Sequence, residues 1–230
     1  MTVEHNVLPR AMSLAVHELR TPVTVVAGYL RMLLREQAGP LTEKQKKMLE
    51  EADRSCGRLG SLVSEMSEFG KLEGREIALT RQDFDLAALT AQLAGGMHEG
   101  SDRGVLLETR GPGPIVVTGD RTRISAAVNA LMYAALRERG EPGTVIVQCS
   151  TTAGTPPWAV VAIGDEAAVA ALTAAAPETG SPFDEWRGGL GLALPVARRV
   201  IEAHGGTLWS ADGHSRGASA LRLPLRTQDL

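Results

Sequence analysis

His17 and Glu18 stand side by side in the stretch His17-Glu18-Leu19-Arg20-Thr21-Pro22. An imidazole is a nucleophile toward phosphorus once its proton is held or removed. A carboxylate adjacent in sequence can do that as a general base. Pro22 lacks an N–H and crowds the carbonyl four residues back, which loosens a helix beside the histidine. A lone histidine on a helix is most often a solvated surface residue, so it is the neighbours that give this one chemistry. A second stretch, Gly188-Gly189-Leu190-Gly191-Leu192-Ala193-Leu194, runs glycines into an apolar helical pattern. Glycines there let backbone N–H groups approach phosphate oxygens, and a helix N-terminus favours their negative charge. By itself such a Gly-x-Gly also describes an ordinary tight turn.

The elements that must position these residues are legible from periodicity. Met12, Val16, Leu19, Val23, Val26, Leu30 and Leu33 keep a strict 4-3 alternation, the seam of a heptad repeat. Val16 is an a position, which turns His17 and Glu18 outward. Ala38-Gly39-Pro40 breaks the helix, and Thr42 with Gln45 forms a candidate capping box for the next one. The second helix repeats the spacing at Met48, Ala52, Ser55, Leu59, Leu62, Met66 and Phe69, widened by Leu49, Cys56 and Val63. Two helices with stripes this wide cannot cover each other's apolar surface. A second copy is expected to complete a homodimeric four-helix bundle. Beyond Gly74 the signals alternate. Strands are expected near 76–80, 104–109, 114–118, 143–150, 157–163, 206–211 and 217–225, with helices near 85–98, 120–138 and 190–204. The strands 143–150 and 157–163 should form a hairpin, and Ala167–Ala176 is a short helix or a lid. The fold class is then α + α/β: residues 1–74 a dimerising hairpin, residues 75–230 a two-layer α/β sandwich.

Composition narrows the function. Lys+Arg (24) nearly balance Asp+Glu (27) in 230 residues, for a net charge of −3, and aromatics are only 3%. A basic nucleic-acid binder with stacking platforms is therefore not expected. Cys56 and Cys149 are too few for a disulfide framework. The apolar run nearest to a membrane span, Trp158–Ala176, is interrupted by Asp165 and Glu166, and Met1–Arg10 has no apolar signal-peptide centre. The expected location is cytoplasmic.

The stretch His17–Pro22 resembles the H-box of bacterial two-component sensor histidine kinases. The glycine run and Ala203-His204-Gly205-Gly206-Thr207 resemble the last glycine box and the following turn of the same family's ATP-binding domain, of the GHKL type. The resemblance spans nearly the whole chain. It implies that His17 accepts the γ-phosphoryl of ATP and passes it to an aspartate of a response-regulator receiver domain. Glu18 would be the base, and Thr21 would orient water when the regulator is dephosphorylated. ATP and Mg²⁺ are the implied cofactors. Asp165 would recognise adenine, Gly189, Leu190, Gly191 and Leu192 would meet the phosphates, and Arg137 would add a phosphate contact. The stimulus would enter from elsewhere, through the rest of a longer protein or a separate sensor protein.

The middle motifs depart from the family. Asp120, Arg123 and Ile124 fit the start of its N-box, and Gly143-Thr144-Val145 the strand after it. This register puts Ala134 where the family has the asparagine that coordinates Mg²⁺, with Arg137 and Glu138 on its lysine and tyrosine positions. Alanine offers no oxygen to a metal that needs hard oxygen ligands. Asn129 lies five residues earlier, about 140° around a helix of 3.6 residues per turn. Glu138, one turn beyond Ala134 on the same face, could offer a carboxylate instead. After Asp165 the family's two glycines are replaced by Ala167 and Val169, so the loop must take another path. Arg187 replaces a first glycine and reads as a surface arginine. The expected function is a histidine autokinase core. The alternatives are a degenerate relative that relays phosphate through His17, or a non-catalytic dimeric scaffold for response regulators.

Overall fold

The computed structural model describes residues 7–74, 77–153, 156–175, 177–178, 180–187, 191–210 and 217–226. They form two compact units, Met1–Ile77 and Ala78–Leu230.

The first unit is a helical hairpin of α1 (Val7–Leu34) and α2 (Glu43–Glu73). Helix α1 runs through Pro22 without a break. The connection bends at Glu36 (φ 56°) and Gly39 (φ 115°). Helix α2 starts on the expected capping box: the Thr42 side chain accepts from Gln45 N–H, and the Gln45 side chain accepts from Thr42 N–H. The face that α2 turns inward is only partly the seam read from spacing: of that seam Phe69 is buried, next to Gly70, and Ala52 and Met66 are half-buried, while the other buried residues, Cys56 and Val63, come from its widened edge. Met48, Leu59 and Leu62 are exposed, as are Leu19 and Val26 of α1. The 3.5-residue seam therefore divides. Val16 and its heptad mates Val23 and Leu30 are buried or half-buried, whereas much of the other half is left bare.

The second unit is a mixed α/β domain. A six-stranded sheet has the order β2-β4-β5-β8-β7-β6, with β2 (Val105–Arg110), β4 (Gly143–Thr152), β5 (Trp158–Gly164), β6 (Ser181–Pro182), β7 (Thr207–Ser210) and β8 (Ser219–Pro224). Among the described residues only β2 and β4 pair in parallel; the expected β4–β5 hairpin is antiparallel, with Cys149 opposite Val161. A small second sheet pairs β1 (Gln82–Asp85) with β3 (Val116–Gly119). The strand expected near 76–80 is not formed among its described residues; β1 lies further on. Its sequence, Gln82-Asp83-Phe84-Asp85, carries little strand propensity and is held by its pairing with β3. Helices α3 (Leu86–Gly95), α4 (Arg121–Glu138) and α6 (Ala193–Ala203) pack with one another through α4. Thr90 of α3 meets Cys149 on one face of the sheet, at 3.1 Å. On the opposite face Ile146, Val160, Ala162 and Ala220 join Ala168, Val169 and Leu172 of α5 (Glu166–Ala174) in one buried cluster. The alanine-rich segment is thus a helix, and the middle strands are buried on both faces.

Candidate functional site

On α1, heptad geometry dictates the exposure of the histidine: Val16 points inward at 4% exposure, and the next two residues point out. The His17 and Glu18 side chains are 80% and 72% exposed, and His17 Nδ1 lies 3.3 Å from Glu18 Oε1. With the ring proton on Nδ1 this contact is an N–H···O hydrogen bond, and the lone pair on Nε2 is left as the nucleophile. Thr21 is exposed one turn further along. The missing N–H of Pro22 is the helical donor for the Glu18 carbonyl, so the backbone beside the pair is one hydrogen bond short.

On the α/β unit, a cavity of about 280 Å³ is lined by Ala135, Glu138, Arg139, Gly140, Gly164 and Asp165, together with Glu141, Val145, Gly217 and Ala218. Its walls come from the end of α4, the end of β5 and the turn before β8. Asp165 reaches it because it ends an apolar strand and starts a helix: its Oδ1 accepts the N–H of Ala168 at 2.9 Å and caps α5. The path taken without the two glycines is therefore a capped helix. Ala134 is fully buried and is not among the residues lining the cavity. Glu138 lines it and Arg137 does not; Arg137 is exposed, and its place at the cavity is taken by Arg139. Asn129 is exposed on α4.

Arg187 is not a surface residue. Its side chain is 14% exposed and its guanidinium donates to the carbonyls of Ala218 (3.4 Å) and Gly217 (3.3 Å). Nε lies 3.8 Å from Glu138 Oε1, and the guanidinium carbon is 5.1 Å from the centre of the Phe183 ring. Burial pushes the Arg187 guanidinium down from its ordinary value, while the charges of Glu138 and Asp184 oppose that shift. The delocalised guanidinium keeps its proton. Gly189 and Leu190 lie outside the described residues. Gly191 is exposed with φ 65°, a left-handed turn that glycine adopts without strain, and Leu192 stands at the N-cap of α6.

Tested against the residues present, the adenine side and the metal side of a Mg²⁺–nucleotide fare differently. Asp165 is at the cavity and has the acceptor oxygens that an amino group needs. Mg²⁺ needs hard oxygens in near-octahedral array. Ala134 has none, the Glu138 carboxylate faces Arg187, and among the described residues no cluster of three His, Cys, Asp or Glu side chains could hold a metal. The metal does not fit this donor set.

Asp120, read from the sequence at the start of the N-box, and His204, in the glycine turn, organise the unit together. The N–H of Asp120 donates to Nε2 of buried His204 at 2.9 Å, and His204 Nδ1 is 2.7 Å from the carbonyl of Val200. Burial works to raise the Asp120 carboxyl. The N–H of Arg123, the Arg123 guanidinium and the N–H of Thr80 nevertheless hold it below its ordinary value. The signal was present in the sequence as an Asp at a helix start and a His in a glycine turn, but their separation of 84 residues hid the contact.

Residues 10–75 match the His Kinase A (phospho-acceptor) domain. The chain is 27% identical over 197 residues to the circadian input-output histidine kinase CikA of Synechococcus elongatus, across 83% of this chain and 26% of that protein. It is 26% identical over 222 residues to the histidine protein kinase DivJ of Caulobacter vibrioides, across 91% of this chain and 36% of that protein. It spans well under half the length of both relatives. Among solved structures, full-length ShkA in complex with AMPPNP superposes with a TM-score of 0.72 at 22% identity, over 96% of this chain and 47% of that one. The Acinetobacter baumannii histidine kinase AdeS gives 0.61 at 21%, over 92% of this chain and 98% of that one. These two similarities concern the fold.

Proposed function

We propose a function from the premise that this chain carries the transmitter core of a two-component sensor histidine kinase. His17 takes a phosphoryl group from ATP on Nε2 and delivers it to an aspartate of a response-regulator receiver domain. In the first step an N–P bond forms at Nε2 and the P–O bond to the departing ADP breaks. In the second the N–P bond breaks and an acyl phosphate forms on the aspartate. Glu18 holds the Nδ1 proton while Nε2 attacks, and takes it as the ring becomes cationic. Thr21, one turn on, orients water for the reverse task of regulator dephosphorylation. The observation that carries this reading is the exposed His17–Glu18 contact at 3.3 Å, which leaves the nucleophilic nitrogen open to a large partner.

On the α/β unit, Asp165 would accept the adenine amino group. The backbone of Gly189, Leu190, Gly191 and Leu192, ahead of α6, would meet phosphate oxygens at a helix N-terminus. The hairpin pairs with a second copy, whose exposed Leu19, Val26, Leu59 and Leu62 would cover the same residues here. A separate sensor or a further part of a longer chain supplies the input. ShkA was solved with AMPPNP, in keeping with nucleotide as the donor.

A second reading has its own support. Ala134 and the Glu138–Arg187 pair leave the cavity without a metal shell. Phosphoryl transfer from ATP depends on metal and positioning. In the second reading His17 receives its phosphoryl group from a phosphorylated receiver and relays it. The test is incubation of the chain with γ-labelled ATP and Mg²⁺, and separately with a phosphorylated receiver, with His17→Ala as control. Acid-labile label from ATP that vanishes in His17→Ala supports the kinase. Label from the receiver alone supports the relay, and label from neither ends both.

A further inference from the structure

Four observations converge on the end of α4. Ala134, at the position where a metal-binding side chain is expected, is fully buried and ends in a methyl group. The backbone of Gly217 (φ 91°) presses on the same turn. A Cβ there would lie 3.0 Å from Ala135 Cα, 3.2 Å from Glu138 Cβ and 3.4 Å from the Ala134 carbonyl oxygen. Arg187 reaches in behind it, held by the carbonyls of Gly217 and Ala218 and by the Phe183 ring. Its Nε stands 3.8 Å from Glu138 Oε1, with the two side chains 14% and 13% exposed, and neither atom has a hydrogen-bond partner among the described residues.

We propose that Arg187 is a built-in cation that holds Glu138 and keeps a divalent metal out of this pocket. The proposal rests on the reading of the pocket as the nucleotide side of the core. A guanidinium is a permanent charge, and this one is fixed on three sides by groups that do not move away cheaply. Mg²⁺ would have to bind the same carboxylate at about 2.1 Å while shedding water it gives up reluctantly. It would do so beside a positive charge, in surroundings where burial weakens screening. Asp165 offers no replacement shell, because Oδ1 caps α5 and the carboxylate is the acceptor assigned to adenine in the proposed function. Glu141 lines the pocket from an exposed loop, and one such carboxylate is a poor substitute for a shell of oxygens.

Mn²⁺ takes the same oxygen-rich octahedral sites and can be followed by its paramagnetism. The whole chain is titrated with Mn²⁺, with and without ADP, as wild type, Glu138→Gln, Arg187→Met and the double variant. The expected result is equal Mn²⁺ binding by wild type and Glu138→Gln. Binding should be at least tenfold tighter in Arg187→Met, and the gain should vanish in the double variant. The proposal is overturned if Glu138→Gln weakens Mn²⁺ binding tenfold, or if Arg187→Met with a native circular dichroism spectrum gains nothing. Should Arg187→Met fail to fold, wild type against Glu138→Gln decides alone. None of these titrations reads phosphate on His17, so their failure is distinguishable from failure of the labelling test, and a pocket that excludes the metal favours the relay reading over the kinase reading.

Discussion

The backbone N–H of Asp120 donates a 2.9 Å hydrogen bond to Nε2 of His204. The bond ties the start of α4 to the end of α6, and Nε2 can accept it only while the ring is neutral. Burial lowers the His204 pKa from its ordinary 6.5; the Val200 carbonyl works against that, and Arg81 and Arg123 add to it while Asp120 opposes. The unfolded chain therefore binds a proton as pH falls through about 6.5, and the folded chain resists it. The stability from this neutral histidine is complete above that pH and is lost as pH falls toward the lower folded value. Thermal unfolding followed between pH 7.5 and 5.5 should show a falling Tm. His204→Gln, which keeps an acceptor but does not titrate, should flatten the slope. His204→Ala, which strands the Asp120 N–H, should cost about 1–3 kcal/mol at neutral pH.

The Glu18 side chain is 72% exposed, so the fold does not depend on it, and its proposed task is to act on the His17 ring. Glu18→Gln should leave the unfolding midpoint in urea unchanged. It should slow the loading of His17 with phosphate by about 10²–10⁴-fold, the usual worth of a general base. A rate within twofold of wild type would remove Glu18 from that role.

Leu59 is 53% exposed on the outer face of α2. If a second hairpin covers it, Leu59→Glu places a charge in a packed seam. Sedimentation at micromolar concentration should then shift from dimer to monomer while helix content stays within about a tenth of wild type for the separated chains.

Gly206 has no room for a side chain. An added Cβ would lie 2.2 Å from the Arg222 carbonyl oxygen and 2.7 Å from Ile201 Cγ2, between the end of α6 and β8. Gly206→Ala should destabilise by at least the ~3 kcal/mol at the upper end of ordinary overpacking. At Gly119 the clash falls on the movable tip of Ile124 (2.6 Å) and on the His204 ring (2.9 Å). Gly119→Ala should cost about 1–3 kcal/mol by the same measurement, urea unfolding at neutral pH.

Much of this architecture was legible in the chain. The 4-3 spacing gave the hairpin, and Thr42 with Gln45 gave the start of α2, because caps and heptads are local and repeat within a turn or two. Which half of the widened stripe turns inward was not legible. Leu49, Cys56 and Val63 follow the same heptad as Met48, Ser55 and Leu62, one residue out of phase, and only packing against α1 chooses between them. Strand β1 was missed for the same reason: its residues favour no strand until β3 lies beside them.

The exposure and pairing of His17 and Glu18 were determined by the sequence alone. His17, Glu18 and Pro22 lie within a turn and a half of one helix, so backbone periodicity settles which way they face and how close they come. The fate of the pocket was decided by tertiary structure. Sequence spacing offered Glu138 as a spare metal ligand and Arg187 as a surface charge. Only the fold brings these residues together, 49 positions apart, into one nearly buried contact in which each answers the other. A carboxylate's availability depends on what stands opposite it, and that partner arrives by folding.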